Sequence, residues 1–265
     1  MDLPPLSFHA SLEEKWDEEE EPEEIETVLK VVSPSYHQYL DVFSKVKAER
    51  LPPQHACDHH VELEGLLPPV GVIYSLSQHG SESLWAYISE NSGKGFIRKS
   101  SSSTRAPFLF VNKKNGGLCL CVYYCKLNAV TRKNRYPFSP MNQLLTILNG
   151  SALFSNIDLH GACNLLRIKE GDKHLTAFRT KYHSYEHLVM PFGLTNAPSA
   201  FQKLVNDIFA DFLDIFVAVY LDDIMVFSGS EEERVKHVAS VLQGLSDNDL
   251  FAKASKCVFH ASSVE

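Results

Sequence analysis

From residue 201 onward the apolar positions change period twice. Phe201, Leu204, Val205, Ile208, Phe209, Phe212 and Leu213 recur at i, i+3, i+4, i+7, which predicts a helix over NAPSAFQKLVNDIFADFLD (196–214) with one buried face. Val235, Val238, Val241, Leu242 and Leu245 return to that spacing behind a capping box of Ser230 and Glu233. Between the two lies VAVYLDDIMVFS (217–228), a strand-like apolar run broken only by Asp222 and Asp223. Burying unpartnered carboxylates costs several kcal/mol. An unbroken strand would also send the two acids to opposite faces. A turn at the pair removes the conflict, so the run is expected to be a hairpin, VAVYL up and IMVFS down. Its tip would present both aspartates to a cation or a proton-transfer partner.

Upstream, the patterns give SPSYHQYLDVFSK as a short helix and SLWAYISENSGKGFI as a helix closing at glycine. APFLFVNKKNGGLCLCVYY reads as two alternating strands joined by a Lys-Lys-Asn-Gly-Gly turn. SPMNQLLTILNG is a helix with Pro140 at its first position. ALFSNIDLHGACNLLRI starts as a strand and breaks near His160-Gly161. Residues 51–77 are proline-punctuated and are expected to lie extended along the surface. Helices and hairpins alternate without a βαβ rhythm, which indicates an α+β fold with an antiparallel sheet.

The formal charge of −8 argues at first sight against a nucleic-acid partner, but it is concentrated at one end. Residues 1–30 hold eleven acids against two lysines, leaving +1 for residues 31–265. The acidic run reads as a disordered, self-repelling tail. Three segments follow: a tail over 1–32, a connector over 33–76 and a main domain over 77–265. No run of eighteen apolar residues and no signal-like start occurs, so the expectation is an intracellular chain, in cytoplasm or nucleus, without membrane contact. Two Cys/His clusters, HACDHH and CLCVYYC, lack zinc-finger spacing.

In an antiparallel sheet Asp158, on SNID, can lie beside the Asp222/Asp223 hairpin. Oxygen-only ligation of this kind suits Mg²⁺, which shares its shell with substrate phosphates. Two such ions stabilise the attacking and leaving oxygens of a phosphoryl displacement.

FSNIDLHGACNLLRIKEGDKHLTAFRT, YEHLVMPFGLTNAPSAFQ and YLDDIMVFS, in that order and spacing, resemble the reverse transcriptase of gypsy-type LTR retrotransposons, part of the Pol polyprotein. The resemblance runs from about Ser33 to Glu265. It implies the fingers and palm of a right-hand polymerase, with the thumb absent because the sequence stops before the primer grip. It implies Asp158, Asp222 and Asp223 as catalytic residues and ligands of two Mg²⁺ ions, with Mn²⁺ as an alternative. Its implied partners are an RNA or DNA template with primer and deoxynucleoside triphosphates. Lys113 or Lys114 would meet the incoming triphosphate. The segment MPFGLTNAP, with Phe192 and Gly193, would line the nucleotide side, while Phe201 reads as packing.

The departures from the family pattern point to a mutated copy. LCLCVYYC replaces two arginines by Cys119 and Cys125 and an aspartate by Tyr123. Cys119 holds the position whose arginine grips the triphosphate in the family. His160 stands for an arginine and Cys163 for the aromatic that screens the sugar 2′ position. Two readings therefore compete: an impaired RNA-directed DNA polymerase domain, and a non-catalytic remnant that binds nucleic acid or a protein. A different two-metal phosphoryl-transfer enzyme fits the MPFGLTNAPSAFQ segment poorly.

Overall fold

The computed structural model describes residues 25–72, 74–112, 118–138, 140–148 and 150–261. In chain order the elements are α1 (Ile25–Val31), α2 (Lys45–Ala48), α3 (Gln78–Gly93), β1 (Ile97–Lys99), β2 (Phe108–Asn112), β3 (Leu118–Val122), α4 (Cys125–Val130) and α5 (Met141–Leu148). They continue with β4 (Leu153–Asp158), β5 (Phe178–Arg179), β6 (Ser184–His187), α6 (Ala197–Ile208), β7 (Val217–Tyr220), β8 (Asp223–Ser228), α7 (Glu231–Asp247) and β9 (Val258–Ala261). Short 3₁₀ turns, Pro34–Phe43 and Ala162–Leu165 among them, fill some of the connections.

The four-stranded antiparallel sheet β7-β8-β4-β9 carries the site. Alternation along its strands explains why it lies between two layers. Ile157, Val217, Val219, Ile224 and Val226 belong to the main core, which includes Phe201, Leu204 and Val205 of α6 and Val238, Val241 and Leu242 of α7. Phe154, Ala218 and Phe227 pack with Leu144 of α5 in a separate cluster. α7 begins as its sequence dictates: the Ser230 hydroxyl accepts the Glu233 N–H, and three glutamates in the first turn complement the helix dipole.

Two smaller units complete the molecule. The β1-β6-β5 sheet shares a cluster with α3 that contains Leu84, Ile88, Ile97, Phe178 and Tyr185. Among the described residues the β2-β3 ribbon pairs with no other strand, and it reaches that cluster through Phe108. Beneath these units Tyr124 donates its hydroxyl to the Thr176 carbonyl at 2.8 Å and lies 3.1 Å from His187 Nδ1. The Tyr87 hydroxyl is 3.4 Å from Nε2 of the same ring.

Two expectations need correction. The helix predicted over 196–214 spans Ala197–Ile208 and ends there. The Phe212 carbonyl instead accepts N–H groups from Ile215, Phe216 and Val217, and Asp214 turns back at φ 61°, so Phe212 and Leu213 serve a reversal into β7. The connector is not merely laid along the surface. His59 and Val61 are buried, and His59 exchanges backbone bonds with Arg167 and Lys169. Asp172 clamps the same stretch, with Oδ2 2.5 Å from His60 Nδ1 and accepting the Val61 N–H at 3.0 Å. None of the six cysteines is in a disulfide, and no helix of the described residues is long and apolar enough to cross a membrane.

Candidate active site

The β7–β8 hairpin turns on Leu221 and Asp222, with Tyr220 and Asp223 as the closing pair. The aspartates are therefore split between turn and strand: Asp222 sits in the tip and Asp223 opens β8. That removes the conflict of two adjacent acids on one strand. The turn needs a left-handed residue, and Leu221 supplies it at φ 54°. A side chain with a Cβ pays on the order of 1–2 kcal/mol for that conformation.

Asp158 and Asp223 are direct register partners across β4 and β8. The next pair along, Leu159 and Asp222, is joined by the Leu159 N–H to the Asp222 carbonyl at 3.3 Å. Opposed residues in an antiparallel ladder alternate between bonded and non-bonded pairs, so Asp158/Asp223 is a non-bonded pair, the kind with Cα atoms about 4.5 Å apart and side chains close together. The pairs Phe154/Phe227, Asn156/Met225 and Asp158/Asp223 follow one another along one face, which thus grades from apolar to acidic toward the turn. Asn156 Nδ2 donates to Asp223 Oδ1 at 3.4 Å, a diagonal contact on that face.

Two like charges directly opposite repel. A cation between them reverses the sign. All three aspartates are partly exposed, and their donor atoms are hard carboxylate oxygens, the chemistry that fits Mg²⁺. Among the described residues no three His, Cys, Asp or Glu side chains form a cage for a metal ion. What the register provides is an open acidic edge, suited to an ion that takes one or two carboxylates and fills its shell with water and phosphate.

The other expected residues with described positions lie on other elements. Cys119 lies half-buried on β3 opposite Val111. Lys113 and Lys114 fall outside the described residues. Phe192 is exposed, and Gly193 adopts φ 91°, with the Val122 carbonyl only 3.5 Å from where a Cβ would be. The loop 193–196 is stitched to the chain after β3. Asn128 donates to the Gly193 carbonyl at 2.7 Å and accepts the Thr195 N–H at 2.9 Å. Asn196 accepts the Asn134 N–H at 3.0 Å and donates to the Arg132 carbonyl at 2.8 Å. Cys163 sits in the 3₁₀ turn after β4 and packs against the main core. Phe201 is buried, as its place on the helix face predicts.

Sequence reasoning missed Gln202. It is 3% exposed on α6, where its Oε1 accepts the Leu221 N–H at 2.9 Å and its Nε2 donates to the Val219 carbonyl at 3.3 Å. The signal was present: an amide one step from the apolar stripe of a helix must find partners when buried.

Residues 111–265 match the family described as reverse transcriptase (RNA-dependent DNA polymerase). The chain belongs to the reverse transcriptase family. Its similarity to the Tf2-3 and Tf2-7 transposon polyproteins of Schizosaccharomyces pombe is 36% identity over 233 residues, 87% of this chain. The chain spans 17% of the length of those relatives. The native prototype foamy virus protease-reverse transcriptase superposes with a TM-score of 0.75 at 18% identity, covering 84% of this chain and 30% of that one. A foamy viral protease-reverse transcriptase in complex with double-stranded DNA gives 0.76 at 19% identity, covering 87% and 40%. These matches bear out the reverse transcriptase resemblance and the α+β fingers-and-palm fold. Within that fold the four-stranded β7-β8-β4-β9 sheet and the two-stranded β2-β3 ribbon are separate sheets.

Proposed function

We propose that the chain is the RNA-directed DNA polymerase domain of a retrotransposon Pol polyprotein, extending a primer on an RNA or DNA template, with Asp158, Asp222 and Asp223 holding two Mg²⁺ ions. The observation that carries this reading is the Asp158/Asp223 register pair at the acidic end of the palm face, in a chain of this family. When bound, the ions would neutralise charge on the reacting phosphates. The chain's own residues set the positions: Gln202 holds the turn, Asn156 orients Asp223, and the Leu159 bond fixes Asp222 beside Asp158. The loop at Phe192–Gly193, with Lys113 and Lys114, would face the nucleotide.

The same residues imply weak activity. Phosphoryl transfer depends on positioning and charge stabilisation, and a thiol at Cys119 offers no charge-assisted bond to a triphosphate. Losing such a bond costs about 1.5–3 kcal/mol, or roughly ten- to a hundredfold. Cys163 leaves less bulk to discriminate ribose from deoxyribose.

Single-turnover extension of a primed RNA, with and without Mg²⁺, tests the proposal. The expected result is feeble, Mg²⁺-dependent incorporation that Asp222→Asn abolishes. Restoration through Cys119→Arg, Tyr123→Asp, Cys125→Arg and Cys163→Tyr should raise it. Absence of incorporation by the restored protein would overturn the assignment. Brisk extension by the chain as it stands would overturn the claimed impairment.

A further inference from the structure

The substitution that weakens the nucleotide grip places two sulfurs side by side. Cys119 and Cys121 are i and i+2 on β3, so their side chains leave the same face of the ribbon. Both are half-buried, and the Cys121 thiol makes a side-chain hydrogen bond with Cys119. That bond, followed by burial, pushes the Cys121 thiol well above its usual value, as expected when neighbouring sulfurs share a proton. The Tyr87 hydroxyl, buried beneath the ribbon, lies within electrostatic reach of both.

We propose that Cys119 and Cys121, side by side on one face of the fingers ribbon, form a two-sulfur binding site for a soft monovalent cation, copper(I). Strand geometry favours a bridging ion over a disulfide. Two residues of rise separate the Cα atoms by about 6.7 Å, at the upper edge of what an S–S bond spans, whereas a metal between the sulfurs bridges a wider gap. Ligand number selects the ion. Structural zinc and the common iron–sulfur clusters draw on four protein ligands, and the described residues offer no cluster of three. Soft thiolates with few further donors suit copper(I). Cys125 is engaged elsewhere, in a side-chain hydrogen bond with Tyr123, and Cys57, Cys163 and Cys257 belong to other elements.

Binding balances without redox change. Two thiols each lose a proton to solvent, two copper–sulfur bonds form, and the ion at charge +1 with two thiolates leaves a complex of charge −1. The raised pKa of Cys121 does not prevent this, because a coordinating thiol is deprotonated by the metal itself.

Anaerobic titration of the full chain with copper(I), in competition with bicinchoninate, tests the site. One ion should bind per chain with release of two protons. Cys119→Ser and Cys121→Ser should each lose it, and Cys125→Ser should keep it. In the unsubstituted chain, copper should protect the Cys119 and Cys121 thiols from alkylation, read by peptide mass, a measurement that requires no variant to fold. Zinc at equal concentration should not displace copper. Binding that survives Cys119→Ser, protection that falls on other cysteines, loss of binding in Cys125→Ser, or displacement by zinc would each overturn the two-sulfur copper site.

Discussion

Gln202 and Leu221 are joined across the palm by one hydrogen bond, the Leu221 N–H to Gln202 Oε1 at 2.9 Å, while Nε2 of the same amide reaches the Val219 carbonyl at 3.3 Å. A single buried amide thus holds the backbone on both sides of Tyr220. It supports a leucine in the left-handed region, where the turn would otherwise favour glycine. Removing the amide leaves an N–H and a carbonyl short of partners, at about 1–3 kcal/mol. Gln202→Ala is therefore expected to lower the denaturation midpoint and to speed exchange of the Leu221 amide, with the Ile157 and Ile224 amides still protected. Equal acceleration at all three would mean that the side chain supports the sheet rather than the turn.

Two buried histidines predict an acid sensitivity. Burial holds His59 and His187 each at about 4, against an ordinary value of 6.5. Between those values the unfolded chain binds protons that the folded chain refuses. Stability is complete above the unfolded value and is lost as pH falls from about 6.5 through the folded value near 4. Unfolding midpoints measured from pH 7.5 to 5 should decline, and His187→Asn should flatten the slope while lowering stability at pH 7.5. An unchanged slope in that variant would place the sensitivity elsewhere.

Gly244 reverses the usual effect of alanine in a helix. On propensity alone Gly→Ala gains about 1 kcal/mol. Here a Cβ would meet Phe209 Cε1 at 2.9 Å, and that ring is fully buried in the main core. Gly244→Ala is expected to destabilise, by about 1–3 kcal/mol of overpacking. Gly93→Ala, with nothing within 4 Å, should not. Urea denaturation of the two variants decides it.

The acidic terminus should act through charge alone. Deleting residues 1–24 is expected to raise affinity for primed template at low salt and to lose that effect as salt rises, since phosphate repulsion is screened. Filter binding across a salt series would show it, and a salt-independent gain would point to a direct contact instead.

How much of this was legible in the sequence depends on the range of the interaction. The hairpin at Asp222 and Asp223, the capped start of α7 and the apolar face of α6 rest on local period and caps, and the chain pattern contains them. The end of α6 at Ile208 does not, because Phe212 and Leu213 keep the helical spacing while their backbone serves a reversal. The burial of His59 was hidden for the same reason: its partners, Arg167 and Lys169, are more than a hundred residues away. The acidic triad was readable as residue types, whereas the non-bonded pairing of Asp158 with Asp223 needed the register. Gln202 was visible only as an amide beside an apolar stripe, without the turn it grips.

The β2-β3 ribbon has a consequence for how such a chain ages. Among the described residues it pairs with no other strand, and every residue of β3 is only half-buried. A replacement there disturbs little packing and has a small effect on folding. Asp158 and Asp223 stand at the end of strands whose interior residues, Ile157 and Ile224, are fully enclosed. Drift in those strands is opposed by the need to fold at all. The ribbon and the sheet that carries Asp158 and Asp223 are therefore expected to tolerate replacement unequally, the ribbon more than the sheet.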